Sequence, residues 1–238
     1  MVIGYYSMEI ILQLPQNINA ITLKDYQKYN KIITENPDAE ADFFNIKMLE
    51  IFCDLEYKDI TSLPIGEFDG TLDYMEEVFR EKTPLVRRFN MTGSDGVEIE
   101  FGFIPNLDKI TMGEYIDLNT YIQEADTLHK AMAVLYRPIH KDYKKKIGYK
   151  IDSYKGADLF SDVMKDMPLG IALGAKVFFY RLGIKLSRTI LSYSQSMLED
   201  KGLNLSEEEK ATLTKNMDGI GNFMQLQEET LLRLMKLH

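Results

Sequence analysis

The sequence predicts an α+β fold that is predominantly helical, with a small antiparallel sheet among its first helices and a helical bundle after it. Three observations carry this. Helix-capping signals recur, with Thr22 three residues before Asp25, Thr111 three before Glu114 and Ser206 three before Glu209. Residues 85–104 form two apolar arms around Gly93-Ser94-Asp95-Gly96, and the second arm, Val97, Ile99, Phe101 and Phe103, alternates strictly. From Leu169 to Leu182 the chain is apolar on every side of a helix, which predicts a buried central one.

Taken in order, 8–14 reads as a strand closed by Pro15. Thr22 then caps a helix, with Ile21 and Tyr26 placed for an apolar staple. Asn36-Pro37 ends it, because the residue before proline disfavours the α region. Phe44, Met48, Ile51, Phe52 and Leu55 mark one face of a second helix, and about 71–82 forms a third. The hairpin of 85–104 is marginal alone, so it is expected to pair with the strand at 8–14. Thr111 and Glu114 form a capping box, with Ile110 and Tyr115 as its staple. Leu128, Met132, Leu135 and Tyr136 give the next buried face, which stops at Arg137-Pro138. A Lys-rich loop leads to a short helix at 158–166. A long helix over about 168–200 follows, regaining a polar face after Leu182, and two further helices close the chain. The expected organisation is an α+β region at 1–105, a helical region at 106–202 that can share one core with it, and a C-terminal helical pair or arm at 203–238.

A chain of 238 residues with 45% apolar and 27% charged side chains can build a core without staples. Cys53 is its single cysteine, so it holds no internal disulfide and no cysteine-rich zinc site. The start, Met1 to Tyr6, lacks the basic region and cleavage site of a signal peptide. Leu169–Leu186 contains Lys176, Arg181 and Lys185, so a membrane span is not expected. The net charge is −9, and 35–82 holds fourteen acidic residues against four basic ones, a surface that repels phosphate backbones. The basic cluster from Lys141 to Lys155 reads as a solvated loop. The aromatics sit at core spacing and are not interleaved with Lys and Arg, so no specific nucleic-acid partner is expected.

Catalytic, cofactor and metal sites are expected to be absent. His129, His140 and His238 do not share a helix face at metal-binding spacing, and His129 reads as a structural histidine beside a buried face. Asp117-Leu118-Asn119 starts like a calcium loop but lacks the turning glycine. There is no phosphate-cradling glycine loop and no nucleophile elbow. Glu114, Asp117 and Glu124 would need burial to act as an acid–base pair, and the sequence gives no sign of it. Arg87 and Arg88 point to opposite faces of a strand. The remaining candidate is a contact surface. Ile220, Met224, Gln227, Leu231 and Leu234 repeat at 4-3-4-3 spacing, a short coiled-coil seam with one polar position. Ile220, Met224, Leu231 and Leu234 are the candidate partner contacts, and docking of this seam on the chain's own domain is the simpler alternative.

Four strings have a further implication. The stretches Phe101-Gly102-Phe103-Ile104-Pro105-Asn106-Leu107 and Ile110-Thr111-Met112-Gly113-Glu114-Tyr115-Ile116-Asp117-Leu118, together with 129–138 and Met167-Pro168-Leu169, resemble virion proteins of crAss-like bacteriophages. The resemblance covers roughly 20–200. It implies a non-enzymatic virion protein associated with the tail or portal region: cargo stored in the particle and released with the genome. The alternative is a tail-assembly chaperone absent from mature particles. Synthesis in the bacterial cytoplasm, residence in the virion, and tail or portal proteins or a second copy as partners follow from the same likeness. No cofactor and no catalytic residue is implied.

Overall fold

A computed structural model describes residues 12–93, 96–140, 148–200 and 205–236. Among them are nine α-helices and one three-stranded antiparallel sheet. The chain divides into two compact units, Met1–Ala172 and Leu173–His238.

The first unit opens with α1 (Leu23–Glu35), α2 (Ala41–Phe52), the single turn α3 (Tyr57–Ile60) and α4 (Ile65–Phe79). Thr22 caps α1, accepting from the Asp25 N–H at 3.2 Å, and the helix stops at Asn36 as Pro37 requires. Phe52 bridges this layer, with its ring 5.2 Å edge-on to both Tyr29 and Phe79. Helix α4 starts six residues before the expected Thr71, running through Gly66 and Gly70.

Strands β1 (Arg88–Thr92) and β2 (Glu98–Phe103) form the expected hairpin, with Phe89 opposite Phe101. Its turn residues Ser94 and Asp95 lie outside the described residues. The third strand is β3 (Tyr136–Pro138), antiparallel to β2 with Gly102 opposite Arg137. Of the strand expected at 8–14, residues 8–11 lie outside the described residues, and 12–14 carry no strand. The Leu135–Tyr136 step decides the difference. Helix α6 (Leu128–Leu135) ends and the chain runs straight into extended backbone, so the segment before Pro138 completes the sheet.

Between sheet and strand lies α5 (Met112–Tyr121), held by the Thr111–Glu114 capping box. Helix α6 packs on α5, β3 and α7 (Asp158–Met164), and Leu128, Met132, Leu135 and Tyr136 are fully buried. Tyr136 is the hub of the sheet's core. Its ring meets Phe89 and Phe103 edge-on, and its hydroxyl donates to the Val86 carbonyl at 2.7 Å. Phe101 adds Phe160 of α7. The 1–105 and 106–172 regions therefore share one core. The entry to α8 (Leu169–Glu199) is stitched to the start of α1, since Leu23 N–H donates to Met167 and Leu169 N–H to Ile21.

The second unit contains α8 from Leu173 onward and α9 (Glu207–Lys236). Helix α9 is one continuous helix through Gly219 and Gly221, where two were expected. Ser206 caps it reciprocally with Glu209.

Candidate functional site

The most unusual chemistry in the first unit grows out of a helix cap. The Glu114 carboxylate accepts from the Thr111 N–H at 2.7 Å, as a capping-box acid should. It is also 4% exposed, and its other oxygen accepts from the Arg137 guanidinium, which is 6% exposed. The expectation that this acid is solvated is corrected here, because helix α5 turns its capped end against β3. Burial raises the Glu114 pKa, but the Thr111 N–H, its hydroxyl and Arg137 outweigh burial and hold the carboxyl below its ordinary value. Tyr154 covers the other side, with its ring 5.5 Å from the Arg137 guanidinium and its hydroxyl donating to Asp117. Burial and that carboxylate raise the Tyr154 pKa. The group is closed and paired, apart from the Arg137 Nε. It holds charge in place.

The other titratable candidates are also occupied. Cys53 is buried with its thiol 3.7 Å from the Met75 sulfur, and burial pushes its pKa up to about 11. His129 Nδ1 lies 2.9 Å from the Gln27 amide, which fits the tautomer with its proton on Nε2. Burial, Lys165 and Lys130 lower its pKa, so it is neutral at pH 7. His140 pairs with Asp152 at 3.1 Å on the surface. Among the described residues no three metal-ligating side chains converge, and no helix is long and apolar enough to cross a membrane.

The second unit presents a different kind of site. On α8, Tyr180, Ile184, Ser187 and Ser194 are buried and Leu191 is half-buried, at spacings of 4-3-4-3. On α9, Leu213, Met217, Ile220, Met224 and Leu231 are half-buried and Gln227 is buried, on the same period. The two seams face each other in antiparallel sense. Gly183 lies against the Gln227 amide, Arg188 pairs with Glu228 at 2.6 Å, and Met197 lies beside Leu213. Of the candidate contacts, Ile220, Met224 and Leu231 thus lie along the seam toward α8, and the Leu234 side chain lies outside the described residues. An open groove of about 490 Å³ runs beside the seam between Arg181, Lys185, Glu228 and Leu232.

The chain matches no family model, no curated protein and no solved structure. Its own surface is therefore the guide. Past Leu182 α8 regains the expected polar face, with Lys185, Arg188, Thr189 and Ser192 exposed, and beside it keeps a second apolar stripe: Leu186, Ile190 and Tyr193 are 54, 48 and 65% exposed. Phe223 and Leu226 of α9 are 47 and 62% exposed. The signal was present as the 4-3 spacing of 186, 190 and 193, masked by the intervening Lys185, Arg188 and Ser192. The Glu114–Arg137 pair had no such signal, since nothing local links a helix cap to a residue 23 positions later.

Proposed function

We propose that this chain is a non-enzymatic virion protein of a crAss-like bacteriophage, associated with the tail or portal region, stored in the particle as cargo and released with the genome. The resemblance of 101–107, 110–118, 129–138 and 167–169 supports the lineage. The observation that carries the contact role is the uncovered apolar stripe of α8, Leu186, Ile190 and Tyr193, on a helix whose seam is already filled by α9. A surface of that kind meets protein and excludes water. The closed Glu114–Arg137 pair favours a structural part for that buried ionic group.

Quantitative mass spectrometry of purified particles tests the reading. Cargo is expected at a constant number of copies per particle. A chain abundant in infected cells and absent from mature particles would replace cargo with a tail-assembly chaperone, which the same uncovered stripe would also serve.

A further inference from the structure

Independently of the virion reading, we propose that α9 is a releasable arm: it lifts off α8 as one cooperative unit while the first unit stays folded. The α8–α9 seam is polar where it is most buried. Past Ile184, the buried residues of α8 are Ser187 and Ser194, and Gln227 is the one buried residue among the described side chains of α9. The apolar members of the α9 seam, Leu213, Met217, Ile220, Met224 and Leu231, are half-buried. Helix α6, by contrast, buries six of its eight residues, all of them apolar. Docking strength follows the apolar area removed from water, so α6 is held firmly and α9 lightly.

Three features weaken the joint further. The Gln227 Oε1 is buried without a partner and regains water on release. Gly219 and Gly221 stand inside α9 with open space where side chains would be, and glycine there disfavours the helix. The Arg188–Glu228 pair that bridges the two helices is exposed to solvent and adds little. The joint still has a single setting. A methyl at Gly183 would stand 2.3 Å from the Gln227 Oε1, so the amide occupies the space that a side chain at 183 would take. One polar residue in an apolar seam fixes register at a cost in stability, and Gly183 with Gln227 returns the arm to the same place each time it docks. The exposed apolar stripes, Leu186 and Ile190 on α8 and Phe223 and Leu226 on α9, belong to different helices. They share a surface only while the arm is docked.

Native-state amide hydrogen exchange of the full chain, followed as urea is raised below the unfolding range, tests this. The α9 amides from 213 to 231 are expected to open together, about a hundredfold faster than those of α6. Their shared urea dependence should be smaller than that of α6, since only one helix is undocked. Gln227→Met with Ser187→Ala is expected to slow α9 exchange about tenfold and leave α6 exchange unchanged. If those substitutions disturb the seam, Gly219→Ala with Gly221→Ala decides, because both positions face open space, and it too should slow α9 alone. Opening of α9 and α6 in one step at one rate overturns the proposal. So does a protected middle of α9 with exchange rising smoothly toward its ends, which is fraying of a fixed helix. Exchange of α9 as fast as in a free peptide overturns it as well, since such an arm never docks. Substitutions that slow α6 and α9 equally have the same consequence.

Discussion

Arg137 and Glu114 show what one buried pair is worth. Each is under 10% exposed on its side chain. Removing one partner strands the other's charge, a loss of about 3–5 kcal/mol. Arg137→Met and Glu114→Gln should each destabilise strongly in urea titrations, and the double variant by much less than the two together. Acid acts in the same direction at two sites. The Glu114 carboxyl ionises below its ordinary range in the folded chain, so its contribution is full above about pH 4.5 and is lost as pH falls through its folded pKa. His129 also has a lowered pKa, so the unfolded chain takes up its proton first and stability starts to fall as pH drops below about 6.5. His129→Gln, which keeps an acceptor for Gln27, should flatten the fall in unfolding temperature between pH 7 and 5.5. The sequence showed Glu114 as a cap and His129 as structural, because both roles are set by near neighbours. It hid the Arg137 partnership, which depends on where β3 lands.

Helices and strands were most legible where local signals sufficed. Thr22, Thr111 and Ser206 each cap as their spacing predicts, and the 85–104 hairpin forms in register. The third strand was not legible. Tyr136 to Pro138 fits the end of an apolar helical face as well as it fits a strand, and only the open edge of β2 distinguishes the two. Gly102 records the close packing that results. A methyl there would stand 2.5 Å from the Tyr149 ring, whose hydroxyl is fixed to the Phe103 carbonyl at 2.6 Å. Gly102→Ala should therefore cost about 1–3 kcal/mol by strain in the sheet, read from chemical denaturation. The α8–α9 seam offers the opposite case. The Gln227 Oε1 is buried without a partner, so Gln227→Met should raise stability by about 1–2 kcal/mol and leave helicity unchanged. A loss of stability would mean that the carbonyl is satisfied in solution.

At the scale of the molecule, the amino acids divide between a dense first unit and a lean second one. The first unit buries Phe101, Phe103 and Tyr136 together with the Glu114–Arg137 pair. Residues 173–238 spend two long helices on one seam and leave a second apolar face open. That imbalance is legible only once both helices are placed, since a stripe on α8 and a stripe on α9 become one surface through their antiparallel pairing. The central claim is that this outer face is how the chain engages its surroundings. Packaging into particles, in an infection where the chain is supplied from a plasmid, tests it most directly. Leu186→Glu with Phe223→Glu should fold as the wild type does and be lost from purified particles, whereas Arg188→Gln with Glu228→Gln on the opposite flank should be packaged normally. Wild-type packaging of the first pair would contradict the claim.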